Sequence, residues 1–123
     1  RGTGGVMRVL VLEDDVPTAK CLSSMLQALG HEPLVAYSLD RAVQSFEAGG
    51  IDLILTDYAL PKGHGVQFIK EIRTKSQSVP IVLLTNYSMP HMHAEALHAG
   101  ANETAFKSMP IEALERILEK YGV

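Results

Sequence analysis

Asp57 closes the apolar run Ile51-Asp52-Leu53-Ile54-Leu55-Thr56 and opens the loop Tyr58-Ala59-Leu60-Pro61-Lys62-Gly63-His64-Gly65. A short apolar run bounded by Gly and Pro reads as a buried strand. In an open α/β sheet, chemistry gathers beyond the carboxyl ends of the strands. A second apolar run, Val9-Leu10-Val11-Leu12, ends in Glu13-Asp14-Asp15. If these two strands are neighbours, up to four carboxylates meet on one rim. Acids that close repel one another, so the cluster calls for a cation. Carboxylates, water and a phosphate oxygen are the ligands Mg2+ prefers. Thr85 ends a further apolar run with a hydroxyl, and Lys107 follows another with an ammonium. A nucleophilic carboxylate, a metal cluster, a neutral donor and a cation together suit phosphoryl transfer, in which a protein mainly positions groups and neutralises charge. Alone, a strand-end Lys is a solvated charge and a strand-end Thr a structural residue. The order of all four strand ends carries the signal.

The elements that must position these groups alternate five times along the chain. The first strand covers about Arg8 to Leu12. Asp15 caps the first helix, Pro17 sits in its first turn, and Leu22, Met25, Leu26 and Leu29 recur at helical spacing before Gly30. The second strand, Pro33 to Ala36, suits an edge because proline cannot donate to a ladder. Ser38 caps the second helix, whose stripe is Leu39, Ala42, Val43 and Phe46. The third strand delivers Asp57. A third helix begins near Gly65 and carries Phe68, Ile69 and Ile72. The fourth strand, Ile81 to Thr85, is apolar enough for the sheet centre. The fourth helix starts near Ser88 and Pro90, stops at Gly100, and has a thin stripe of Met92, Ala96 and Ala99. The fifth strand, Glu103 to Phe106, reads as an edge. The fifth helix, with Ser108 as its expected cap, carries Leu114, Ile117, Leu118 and Tyr121. Alternating strands and helices imply a parallel sheet covered on both faces. The expected fold is α/β, a flavodoxin-like doubly wound five-stranded parallel sheet of order 2-1-3-4-5. That order places the first and third strands side by side, bringing Glu13, Asp14 and Asp57 together.

Composition sets the outer bounds. The 123 residues suit one domain, expected over 7–123, with 1–6 as a flexible tail. With 46% hydrophobic and 20% charged residues the chain is an ordinary globular one. A net charge of −3 argues against nucleic acid as a direct partner. Cys21 is the single cysteine, which excludes an internal disulfide and a multi-cysteine metal site; it is expected to be a buried small hydrophobe. No apolar stretch approaches a membrane span and no signal peptide is visible, so the expected compartment is the cytoplasm. Among the five histidines, His91 and His93 lie two apart on a helix and so face different sides. No ligand spacing of a histidine metal site is present. His64 is expected to lie exposed beside the acidic pocket. Met89, Met92 and Met109 read as packing or interface residues, and Lys62-Gly63 as a turn.

Over about Met7 to Val123 the chain resembles the receiver domains of bacterial two-component response regulators. Val9 to Asp15 looks like that family's first strand and acidic pair, Thr56 to Pro61 followed by Gly65 like its phosphoacceptor motif, and Pro80 to Thr85 and Phe106-Lys107 like its hydroxyl and lysine strand ends. The resemblance implies that Asp57 accepts a phosphoryl group from a phosphohistidine on a sensor kinase or phosphotransfer protein. It implies Mg2+ bound directly by Asp14, Asp57 and the backbone carbonyl of Ala59, with help from Glu13. Lys107 then pairs with Asp57 or its phosphate, and Thr85 swings to bond a phosphate oxygen. It also implies an output domain or protein partner engaged through the face of the fourth helix, fifth strand and fifth helix, with a homodimer as a further option. Three positions depart from the family pattern. Ser108 stands where a proline in a cis peptide usually follows the lysine, Thr104 where an aromatic switch residue is usual, and Asn86 where a small residue follows the threonine. A cis bond before a non-proline residue costs about 3 kcal/mol, so the Lys107-Ser108 peptide is expected to be trans, with Ser108 free to cap the fifth helix. With Thr104 small, the expected switch residues are Thr85, Thr104 and Tyr87, and Tyr87 is the aromatic expected to move.

Two other function classes are weighed against this. Aspartate-nucleophile, Mg2+-dependent phosphatases carry a second Asp two residues after the nucleophile as general acid. Ala59 occupies that place here. A receiver fold that only docks partners, without phosphorylation, is the stronger alternative, since a shared fold does not fix function. A flavin site is disfavoured because the acidic loop after the first strand would repel its phosphate.

Overall fold

The structure is a computed structural model that describes residues 5–60, 63–86 and 89–122. Tyr87, the expected moving aromatic, lies outside the described residues, as do Ser88, Pro61, Lys62, Val123 and residues 1–4 of the expected tail.

The elements run β1 (Arg8–Leu12), α1 (Val16–Ala28), β2 (Glu32–Ala36), α2 (Leu39–Glu47), β3 (Leu53–Asp57), β4 (Ala59–Leu60), β5 (Gly63–His64), α3 (Gly65–Lys75), β6 (Ile81–Thr85), α4 (Pro90–Ala99), β7 (Glu103–Phe106) and α5 (Ile111–Tyr121). Five of the strands form one parallel sheet in the order β2-β1-β3-β6-β7. Counting only the strands of that sheet, this is the expected order 2-1-3-4-5. The alternation of side chains along each strand splits the core in two. Leu10, Leu12, Ile54, Ile81 and Leu83 point to the face covered by α2, α3 and α4, against Ala42, Phe68, Ile69, Ile72 and Ala96. Val9, Val11, Leu53, Leu55, Val82 and Leu84 point to the opposite face, against Leu22 and Leu26 of α1 and Leu114, Ile117 and Leu118 of α5. Both faces of β3 and β6 are covered, which is why these runs are apolar at every position until Thr56, Asp57 and Thr85.

Register does the positioning. Leu12 pairs with Thr56, Asp57 with Leu84, and Thr85 with Phe106. One further step along β1 brings Glu13 beside Asp57, and one step beyond β7 brings Lys107 to the same end of the sheet.

Local signals hold at several termini. The Asp15 carboxylate accepts from the Thr18 N–H at 3.1 Å and caps α1, with Pro17 in the first turn. Ser38 caps α2 through the Arg41 N–H. Others differ from expectation. Cys21 is exposed: Ala19, Leu22 and Leu26 fix the buried stripe of α1, and Cys21 falls outside its arc. The loop after Asp57 contains an antiparallel hairpin of β4 with β5, pairing Ala59 with His64 and Leu60 with Gly63. The Lys107-Ser108 peptide is trans. Ser108 does not cap α5, however; Pro110 takes the N-cap position with no side-chain hydrogen bond, because the chain first turns Met109 into the core.

The hairpin returns the chain so tightly that Gly65 passes against the backbone of Asp57. The Gly65 N–H donates to the Tyr58 carbonyl at 2.8 Å. A Cβ at position 65 would lie 2.0 Å from the Asp57 carbonyl oxygen. Gly65→Ala must therefore displace the end of β3, and we expect a loss of about 1–3 kcal/mol from overpacking, read by urea denaturation. Unchanged stability in that variant would show that the close approach is not enforced.

Candidate functional site

Glu13 is the first residue past β1 and only 2% exposed. Its backbone N–H donates to the Ala36 carbonyl at 3.1 Å, which fixes the loop across β2. Its carboxylate accepts from the Asp15 N–H at 2.9 Å and from Lys107 Nζ at 2.9 Å. Asp57, 6% exposed at the end of β3, accepts from the same Lys107 Nζ at 3.1 Å and from the Ala59 N–H. Lys107 thus bridges the two buried acids. Its own backbone N–H donates to the Thr85 carbonyl at 3.0 Å, so β6 and β7 deliver the hydroxyl and the ammonium together. Thr85 is 4% exposed. Asp14 is exposed, and one oxygen each from Glu13, Asp14 and Asp57 lie within 4.8 Å of one another. These groups surround a cavity of about 370 Å³ that also takes in Asp15, Ala59 and Asn86. Two other cavities, of about 380 and 750 Å³, are as large or larger, so volume does not single out the site. Chemistry does: among the described residues the acidic cluster occurs only here.

The carboxyls of Glu13 and Asp57 are both held above their ordinary values, first by burial, with the hydrogen bonds from Lys107 opposing. Burial draws the Lys107 ammonium down, but its bonds to Glu13 and Asp57 outweigh this and raise it. The two results are compatible because one ammonium serves two acids. Each acid receives part of the compensation, while the lysine collects both. Three carboxylates against a single ammonium leave negative charge in a partly dry cleft, a demand that a hard divalent cation meets. Asp15, the fourth acid of the expected cluster, lines the cavity but lies outside the three-acid group: the Thr18 hydroxyl at 2.5 Å and N–H hold it below its ordinary value, and it caps α1.

The structure therefore brings together Glu13, Asp14, Asp57, Thr85 and Lys107, with Ala59 on the wall. His64 is exposed, with its ring tilted against Tyr58 at a centroid distance of 5.6 Å, and is no part of the acidic cluster. Met92 and Met109 are core residues, and Met89 is exposed. Three contacts escape a reading of the sequence. Tyr58, directly after the candidate nucleophile, donates its hydroxyl to Glu95 of α4 at 3.2 Å. Thr104 is hydrogen-bonded to His93 of α4, so the residue in the aromatic's place ties β7 to that helix. Ser108, instead of capping, donates to the Asn86 side-chain oxygen at 3.1 Å. The alternation of β7 was the available clue for Thr104, since Glu103, one step away, reaches Lys120 of α5 on the other face.

A family model described as response regulator receiver domain matches residues 9–119. The chain is 34% identical over 113 residues to the phosphate regulon transcriptional regulatory protein PhoB of Escherichia coli, covering 89% of this chain and 49% of that protein. It spans about half or less of the length of such curated relatives. Among solved structures it is similar to the response regulator TrrA of Thermotoga maritima in complex with Mg(2+)-BeF, with 30% identity, a TM-score of 0.86 and coverage of 94% of this chain and 99% of that one. It is also similar to a chain of the Saccharomyces cerevisiae co-crystal structure of the histidine phosphotransfer signalling protein Ypd1 with the receiver domain of the response regulator Ssk1. There the identity is 27% and the TM-score 0.88, with 95% and 89% of the two chains covered.

Proposed function

Because the chain belongs to the family of response regulator receiver domains, we propose that Asp57 is its phosphoacceptor and that residues 7–123 work as a cytoplasmic phosphorylation-controlled switch. The observation that carries this reading is the bridge Lys107 makes between Glu13 and Asp57 at the mouth of an acidic cavity. An Asp57 carboxylate oxygen attacks the phosphorus of a phosphohistidine on a sensor kinase or phosphotransfer protein. The new P–O bond forms as the P–N bond breaks, and the departing imidazole takes a proton from solvent. Lys107 is placed to follow the charge from the carboxylate to the phosphoryl oxygens, and Thr85 to donate a hydrogen bond to one of them.

The three carboxylates within 4.8 Å and the adjoining Ala59 form an oxygen donor set suited to Mg2+. Glu13, Asp14, Asp57 and the Ala59 backbone carbonyl would hold it. Bound there, the ion would neutralise charge on the phosphoryl group being transferred. The domain is a signalling module, not an enzyme acting on other substrates. The same residues would assist its own dephosphorylation, in which water takes the phosphoryl group from Asp57.

The readout runs through the Thr85-Asn86-Tyr87 segment and α4 to the face made by α4, β7 and α5, where an output domain, a protein partner or a second copy would bind. Phe106, 58% exposed on β7, offers apolar surface there. Thr104 takes part through His93 of α4 rather than by moving an aromatic ring.

Incubated with Mg2+ and a small acyl phosphate, the protein should gain one base-labile phosphoryl group by mass spectrometry. No uptake from either an acyl phosphate or a phosphohistidine donor would leave the phosphorylation-independent binding module as the better reading.

A further inference from the structure

Asn86 and Ser108 follow the two donors of the site, Thr85 and Lys107, directly in sequence. The backbone bond from Lys107 N–H to the Thr85 carbonyl at 3.0 Å keeps the two strand ends in step. One residue further, the side chains meet: the Ser108 hydroxyl donates to Asn86 Oδ1 at 3.1 Å. Asn86 forms part of the wall of the cavity that holds Asp57 and Lys107. Both residues are exposed, so this bond is not needed to satisfy a buried group.

The amide of an asparagine is two-sided, with an acceptor oxygen and a nitrogen that only donates. A phosphoryl group on Asp57 presents oxygens carrying about −1.5 to −2 charges near neutral pH. An amide oxygen turned toward those oxygens would be repelled, and an amide nitrogen would be a donor. The Ser108 hydroxyl decides which side is available, because it engages the oxygen. It is the only side chain among the described residues that hydrogen-bonds the Asn86 amide. We propose that Asn86 Nδ2 is an additional donor to the phosphoryl group and that Ser108 is a positioning residue that holds the amide in the donating orientation.

This rests on the phosphoacceptor reading of Asp57 and adds to it a contact made by a side chain outside the expected set. It also accounts for why two residues that depart from the resemblance touch each other. An asparagine without the serine would be free to turn its oxygen inward, and a serine without the asparagine would have nothing to orient.

The test is an amide-shift titration of the whole chain with beryllofluoride as phosphoryl mimic at saturating Mg2+, with Mg2+ affinity and melting temperature measured alongside. Asn86→Ala should bind beryllofluoride about tenfold more weakly, the size of one hydrogen bond to a charged group, with Mg2+ affinity and melting temperature unchanged. Ser108→Ala should weaken it in the parent but have no further effect in the Asn86→Ala background. Ser108→Thr, which keeps the hydroxyl, should match the parent. Equal binding by parent and Asn86→Ala overturns the donor role. A Ser108→Ala loss that persists undiminished in the Asn86→Ala background, or no loss at all, overturns the positioning role. A parent that binds no beryllofluoride overturns the phosphoacceptor reading, and this one with it.

Discussion

The Asp57→Asn variant is expected to take up no phosphoryl group and to melt at a higher temperature than the parent. The amide keeps the size of the carboxylate but lacks the anionic oxygen that attacks phosphorus. Uptake from an acyl phosphate should fall to background at every Mg2+ concentration. The gain in stability follows from burial. Asp57 is held above its ordinary carboxyl value by desolvation, which the bonds from Lys107 and Ala59 only partly offset. A folded-state value above the unfolded one means that the stability linked to this group is fully present below the unfolded value and is lost as pH rises through the folded one. At neutral pH the parent bears that loss and the asparagine variant does not. Lys107 keeps a partner in Glu13 at 2.9 Å, so the substitution strands no buried ammonium. The gap in melting temperature should close as pH falls into the ordinary carboxylate range. Label that persists in Asp57→Asn would place the acceptor elsewhere. A lower melting temperature at neutral pH would mean that the ion pair with Lys107 outweighs desolvation.

Asp14→Asn should lose Mg2+-dependent phosphorylation by at least about 100-fold, with the fold intact. Altering residues that merely support metal ligands costs 10–100-fold in metal affinity or activity, and Asp14 supplies one of the three carboxylate oxygens of the cluster itself. The Asp14 charge also adds to the forces that raise the Asp57 carboxyl, so its removal eases repulsion in the cleft and should not destabilise the domain. The two variants separate by metal dependence. Raising Mg2+ should recover part of the uptake in Asp14→Asn, since a weakened site can be refilled by mass action, and none in Asp57→Asn. Undiminished phosphorylation of Asp14→Asn at low Mg2+ would remove Asp14 from the metal site.

Most of this site was legible because it depends on strand ends, and strand ends are set by patterns visible in the chain. The runs ending at Leu12, Asp57, Thr85 and Phe106 are apolar for a reason of burial. A parallel sheet aligns such ends regardless of the loops between them. The phase of α1 was equally available: Leu22 and Leu26 place Cys21 outward, and expecting it to be buried put the average habit of a residue type above the local stripe. What was not legible was the choice among competing partners. A serine ahead of a helix is a good cap, but whether it caps depends on where the helix begins. That was decided by the burial of Met109 and the start at Pro110. The Asn86 oxygen then lay within reach, across a separation of 22 residues in the chain. His93 with Thr104 and Tyr58 with Glu95 are of the same kind: short polar contacts between elements whose spacing only the packed core defines.

The two ends of α4 are held very differently. At its far end Arg73 of α3 donates to the Gly100 carbonyl at 3.0 Å, to the Ser76 carbonyl at 3.1 Å and to the Asn102 side chain at 3.2 Å. Asn102 in turn accepts from the Ile81 N–H at 2.8 Å, pinning that end to the sheet. At the end nearest Asp57 the helix opens on Met89 with no side-chain cap, and along its length only Met92 and Ala96 are buried. Local opening should therefore be easiest in the first turn of α4, at Pro90 to Met92, ahead of the ties from His93 to Thr104 and from Glu95 to Tyr58. Mechanically, the helix is a lever with its fulcrum at the guanidinium, and its arm beside the acidic cleft is tethered through the side chains of His93 and Glu95. A change of charge there of the size a phosphoryl group brings would act where the arm is easiest to move.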